Sequence, residues 1–169
     1  MKAALSGVII LALAAALQSA VVSQIHLLQG AADVVLLIVA AWYMHEDAPA
    51  SWVWAVLAGL MVGVLSALPW WLFVAGYGAV AVLTHFLRRR LWRVSFFSFF
   101  TVIVFSTLWT QGLTFAYLRW VRVTSIPFQP AFKQVVLPSL LLNLLLALPI
   151  YSLMDEWAAW FFPPQEAEA

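Results

Sequence analysis

Asp33 asks first for a chemical account, because it is the one carboxylate set well inside an apolar run, Leu27–Met44. A charged side chain at the centre of a membrane helix costs about 2.5–3.5 kcal/mol on insertion scales, so it marks function or pairing. A proton or ion relay needs further carboxylates at matching depth, and the sequence supplies none. The expected account is an ion pair with Arg119 or Arg122, which fall toward the same surface. The remaining polar groups inside apolar runs are Asn143 and a stripe of Thr107, Thr110, Gln111 and Thr114 at helical spacing. An amide left unpaired in hydrocarbon costs roughly 1–3 kcal/mol or more. Gln111 lies seven residues from the end of its run at Leu118, and Asn143 lies nine from the start of the next at Gln134. At about 1.5 Å per residue their depths differ by only about 3 Å. Adjacent helices with Asn143 bonded across to Gln111 or Thr110 are therefore expected, as structural glue.

No reactive constellation accompanies these groups. His26, His45 and His85 are scattered over loops and helix ends, which makes a shared metal site improbable. There is no Ser/His/Asp set, HExxH, glycine-rich phosphate loop or spaced carboxylate pair. Cysteine is absent, which removes disulfides, thiolate metal sites and Cys nucleophiles. No catalytic, metal or cofactor-binding residue is assigned, and a non-enzymatic protein is expected.

The elements that must position these residues follow from composition. Of 169 residues, 66% are hydrophobic and 9% charged. An ordinary soluble domain is about 45–50% apolar and about 25% charged, so the excess must face lipid. A net charge of +1 offers no field for nucleic acid. Crossing about 30 Å of hydrocarbon takes about 20 apolar residues. Six runs qualify within a range of about 17–25: Ala3–Val22, Leu27–Met44, Trp52–Leu68, Trp70–Leu87, Val94–Leu118 and Gln134–Met154. The first is longer than a signal-peptide core and reads as a retained helix. The second has a clean apolar part, Val34 to Met44, too short to span alone, so a tilted or partly re-entrant segment is expected. Leu68-Pro69-Trp70 leaves room only for a tight turn, making the third and fourth runs an antiparallel hairpin.

The reading is an all-α, polytopic membrane protein: one six-helix domain over residues 1–161 and a disordered acidic tail over 162–169. Lys2 and the cluster Arg88, Arg89, Arg90 and Arg93 share one side, and Arg119, Arg122 and Lys133 the other. The positive-inside rule then places both termini in the cytoplasm. The cluster is read as a topology determinant that can also contact anionic lipid or a cytoplasmic partner. Nine of the ten Trp fall near run ends, where interfacial belts are expected, and Trp109 does not. In the third run Ala55, Gly59, Gly63 and Ala67 recur every four residues on one face. Such a stripe admits a close backbone, either a neighbour in the same chain or a partner's transmembrane helix. Pro138 is placed in the first turn of the sixth helix, where its missing donor is harmless, and Pro149 is placed to kink it.

Three segments together resemble one known family. Gly30-Ala-Ala-Asp33-Val-Val-Leu-Leu-Ile-Val-Ala-Ala-Trp42 resembles the Pro-Asp-Leu-Leu signature that opens a helix in the rod shape-determining protein MreD. Ala58-Gly59-Leu60-Met61-Val62-Gly63-Val64-Leu65-Ser66 resembles that family's Gly-rich third helix, and Leu137–Tyr151, with Pro138, Asn143 and Pro149, its closing segment. The chain departs from the family pattern at Ala32, where Pro is common, and at Gly63, where Asp is often found. The resemblance implies a scaffold in the bacterial inner membrane that serves the elongation (rod) complex in peptidoglycan synthesis and cell shape. Implied partners are an MreC-like bitopic protein, an MreB-like filament, a glycosyltransferase and a transpeptidase. The implied fold is similar to the substrate-binding subunits of energy-coupling-factor transporters. The alternative is a small-molecule-binding membrane subunit of a transporter, for which Trp109, Gln111 and Asn143 could line a pocket.

Overall fold

A computed structural model describes the chain except residues 1, 21, 25–26, 45–50, 91–94, 122–124, 126 and 162–169. The described residues are helical almost throughout and contain no strand. In order they form α1 (Lys2–Ala20), a 3-10 turn (Val22–Gln24), α2 (Val34–Met44), α3 (Ser51–Leu65), α4 (Trp70–Arg90), α5 (Ser95–Trp120), α6 (Phe128–Ala131), a π-helical turn (Phe132–Val136) and α7 (Leu137–Phe161). Among the described residues, three stretches are long and apolar enough to cross a membrane: Trp70–Leu87, Phe97–Trp120 and Phe128–Trp160.

The organising element is the shortest of the bundle helices. With 11 residues, α2 is about 16 Å long, roughly half the hydrocarbon thickness. Its residues Val34–Tyr43 are all buried, and α1, α3, α4, α5 and α7 pack around it. A helix apolar on every side belongs in a core rather than at a surface, and VVLLIVAAWYM offers no polar face.

The α3–α4 hairpin closes as the proline turn requires. Leu72 N–H donates to the Pro69 carbonyl at 3.1 Å, and Leu68 N–H to Ser66 Oγ at 3.1 Å. The helix stops at Leu65 and a bend covers 66–68, so α3 is shorter than the run Trp52–Leu68. Ala67 falls in that bend and is exposed, which takes it off the small-residue stripe. The other stripe members are buried, and α4 of the same chain fills the face at the two glycines. A Cβ on Gly59 would lie 2.6 Å from Val74 Cα, and one on Gly63 2.7 Å from Trp70 Cα. The two backbones touch because those side chains are missing.

Helical structure at the other end of the chain begins earlier than expected, at Phe128, and runs through Phe161. Pro138 is in the first turn of α7, but helical backbone already precedes it, so its missing donor has a consequence. In an α-helix the N–H of residue 138 would bond the carbonyl of Gln134. Proline cannot, the backbone widens to a π turn at that place, and the Gln134 carbonyl accepts Gln29 N–H at 3.0 Å instead. Leu27 and Gly30 bond each other reciprocally at 3.0 Å, with Leu28 at φ 58° between them. Gly30 then rests on α7, where a Cβ would meet Ser139 N at 2.6 Å and Val135 O at 2.7 Å. Residues 31–33 are thus led down beside α7 into the bundle.

At the end of the bundle near Met44, Trp42 stacks on Trp54 with centroids 4.5 Å apart, and Trp157 packs against both at 5.0 and 6.1 Å. Trp42 and Trp54 are buried, so these two form an internal cluster rather than part of an interfacial belt. Trp52, Trp70, Trp71, Trp120 and Trp160 are exposed, as belt residues are.

Candidate functional site

The descent of residues 31–33 leaves α2 starting inside the protein. Tyr77, which meets this start, lies seven residues past Trp70 in α4, about 10 Å along the helix. Thr107 lies thirteen residues before the end of α5, about 20 Å along. Non-helical backbone at such depth is tolerated only where protein satisfies it, and the first N–H groups of any helix lack intrahelical partners. Five side chains, one from the residue just before α2 and one each from α1, α4, α5 and α7, supply what α2 needs.

Asp33 is the N-cap of α2. Its Oδ1 accepts Leu36 N–H at 3.0 Å, and its backbone carbonyl accepts Leu37 N–H at 3.1 Å. Gln18 of α1 reaches across so that its Oε1 accepts Val35 N–H at 3.0 Å. Asn143 of α7 presents Oδ1 to Asp33 N–H at 2.7 Å. Three donors at the helix start, those of Asp33, Val35 and Leu36, are thereby satisfied by side chains from α7, from α1 and from the N-cap residue itself. The Tyr77 hydroxyl donates to the Asp33 carboxylate, 2.9 Å from Oδ1 and 3.0 Å from Oδ2. Asn143 Nδ2 donates to Thr107 Oγ1 of α5 at 2.9 Å, which orients the amide so that its oxygen faces Asp33. A carboxylate at a helix N-terminus also interacts favourably with the helix dipole.

Two pairings expected from sequence are replaced. Among the described residues the Asp33 carboxylate is held by Tyr77, Gln18 and the α2 backbone rather than by Arg119. Arg119 is exposed at the last turn of α5, and Arg122 lies outside the described residues. Asn143 does join α7 to α5, but through Thr107. Gln111 sits farther along and its Nε2 contacts Ser139 Oγ at 3.4 Å, while Thr110 Oγ1 folds back onto the carbonyls of Ser106 and Thr107 at 2.7 and 3.1 Å. The depth comparison found the correct pair of helices, and Asn143 passed over Gln111 because α7 is tied to the 27–30 turn in a register that aims it one turn deeper.

Trp109 is partly exposed and its Nε1 contacts the Ala75 carbonyl at 3.4 Å, so it faces α4 rather than Asn143. Pro149 lies inside α7. Arg88, Arg89 and Arg90 form the last turn of α4, whereas Arg93 and the tail 162–169 lie outside the described residues.

Gln18 and Tyr77 were not singled out from sequence. The signal was present, since Gln18 is the one amide in an otherwise alanine- and leucine-rich helix, and Tyr77 falls mid-helix. Nothing local says that either would reach the start of α2.

Chemically the arrangement is a cap. Its hydroxyl, carboxylate and amides are engaged with one another and with backbone, and no group of three His, Asp or Glu able to hold a metal occurs among the described residues. Comparison of the chain with models of known protein families, with curated proteins and with solved structures found no match.

Proposed function

We propose that the chain is a non-enzymatic membrane scaffold subunit of the bacterial elongation (rod) complex, organising peptidoglycan synthesis through lateral helix packing. One observation carries this reading. Asp33, Gln18, Asn143, Tyr77 and Thr107 spend their polar groups on one another and on the start of α2, while the outward faces of the bundle are largely apolar. Asp33 and Asn143, two marks of the MreD resemblance, meet in that cap at 2.7 Å. On this reading all six apolar runs lie in the cytoplasmic membrane, with both termini in the cytoplasm. The short α2 and α3 reach full depth through the segments flanking them. The fold that the MreD resemblance implies is that of energy-coupling-factor substrate-binding subunits.

The partners are an MreC-like bitopic protein and, through it, an MreB-like filament and the glycosyltransferase and transpeptidase of wall synthesis. Affinity purification from detergent-solubilised native membranes tests this directly. Co-elution of a bitopic cell-wall protein is the expected result, and co-elution of a transporter ATPase module would replace the scaffold with the transporter subunit.

That second reading has one observation in its favour, a partly polar crevice of about 360 Å³ lined by residues that include Gln18, Ser66 and Phe73.

A further inference from the structure

The two sides of α1 differ. Toward the Met44 end it meets α3 in close contact, because Gly7 leaves room for the Trp54 ring to lie against the α1 backbone. Toward the Ala20 end the same two helices leave a crevice of about 690 Å³ between Ala12, Ala16 and Ser19 of α1 and Leu60, Val64 and Leu65 of α3. The small side chains of α1 do not fill the space that the larger ones of α3 bracket. This crevice is almost wholly apolar and shares Ala15, Ser19 and Leu65 with the 360 Å³ crevice above it, where Gln18 and Ser66 add polar groups. One continuous groove therefore runs from a polar mouth near the end of α1 to an apolar floor beside Ala12.

The geometry points to this groove as a binding site for one chain of a bilayer phospholipid, its glycerol-ester region at Ser19 and Ser66 and its acyl chain along Ala16 and Val64. Three features select that occupant. The polarity changes along the groove as it does along a lipid, from hydrogen-bonding to hydrocarbon. The mouth carries the hydroxyls of Ser19 and Ser66 and no formal charge, which suits ester carbonyls rather than a phosphate. The polar end lies at Ser19, one residue before α1 stops, where the interface of a membrane crossed by that helix would fall.

Gln18 gives the site a consequence, because the same side chain that borders the mouth holds Val35 N–H at 3.0 Å. A lipid seated there rests against the cap of α2.

The test places a photo-crosslinking amino acid at Ala16 in the full chain and irradiates native membranes. A lipid adduct is the expected product. A protein adduct, whether with a second copy or with a partner's transmembrane helix, overturns the proposal. In parallel, the purified protein is reconstituted in phosphatidylethanolamine–phosphatidylglycerol nanodiscs doped with a phospholipid bearing a mid-chain diazirine. Labelling of residues 12–19 and 60–65 should exceed that of the equally lipid-accessible Leu145. Ala16→Trp should reduce groove labelling about tenfold, a 1.4 kcal/mol effect on occupancy, without changing the label at Leu145. Val64→Ala, which opens an exposed position and leaves the α1–α3 contact at Gly7 intact, should raise it. Equal labelling of groove and Leu145, unmoved by either substitution, overturns the assignment.

Discussion

The helices α4, α5 and α7 run 21, 26 and 25 residues, whereas α1, α2 and α3 run 19, 11 and 15. The long set includes every stretch that qualifies as a membrane crossing, and it presents the exposed apolar residues Val82, Phe97 and Leu145. Helices α2 and α3 carry different constraints. Full burial means α2 never meets lipid, so its length answers to the space between its neighbours rather than to bilayer thickness. Meanwhile α3 ends where the Pro69 turn forces it to and lies so close to α4 that glycine is required twice. The lesson is that hydropathy marks removal from water and says neither whether lipid or protein covers the helix nor how deep it starts. A stretch can be as greasy as any span and still be a core helix that starts well inside the bundle.

The contrast breaks most completely at Gly59. Leucine there would drive a side chain into the α4 backbone at Val74, which cannot rotate away, at a cost of at least about 3 kcal/mol. The expected outcome is loss of folded, monodisperse protein in detergent. A Gly59→Leu variant that still folds but loses a partner would return the stripe to an intermolecular role.

Asp33 sharpens the comparison next. Asp33→Leu removes the N-cap acceptor for Leu36 N–H and strands the Tyr77 hydroxyl, and each orphaned buried group costs about 1–3 kcal/mol. Asp33→Asn keeps an Oδ1 for both, so it should retain most of the stability. Unfolding of the two variants in mixed micelles checks this, and equal losses would mean that the charge matters rather than the cap. Gln18→Leu, which strands Val35 N–H and withdraws the Gln18 amide from the Asp33 carboxylate, should lose about 1–2 kcal/mol in the same assay, less than Asp33→Leu.

These residues also mark how far the sequence could be read. Helical content, the 68–70 turn and the pairing of α5 with α7 were legible because periodicity, proline and depth are local or one-dimensional quantities. Asp33 was legible as a residue needing a partner, since the cost of a buried carboxylate is independent of fold. Which partner it found was not legible. Arg119 was the stronger electrostatic candidate, but a long-range pair depends on how residues 27–33 enter the bundle. That path is set by the carbonyl Pro138 frees and by the absence of a side chain at Gly30. Tyr77 and Gln18 were invisible for the same reason, since each lies over 40 or over 10 residues from Asp33 along the chain and is brought to it only by the burial of α2.

The smallest effect separates the two sets of helices most cleanly, because it uses one substitution chemistry on both sides. At Gly112 in α5 a Cβ would have open space around it, whereas at Gly63 in α3 it would sit 2.7 Å from Trp70 Cα. Glycine inside a helix is less favourable than alanine by about 0.5–1 kcal/mol, chiefly through the freedom it retains when unfolded. Gly112→Ala should therefore raise stability by about that amount, visible as a small upward shift of the thermal midpoint in detergent. Gly63→Ala gains the same propensity and loses more to the contact it forces apart, so its midpoint should fall. If both variants shifted the same way, backbone propensity alone would govern the glycines, and the tight α3–α4 approach would cease to distinguish α3 from the long helices.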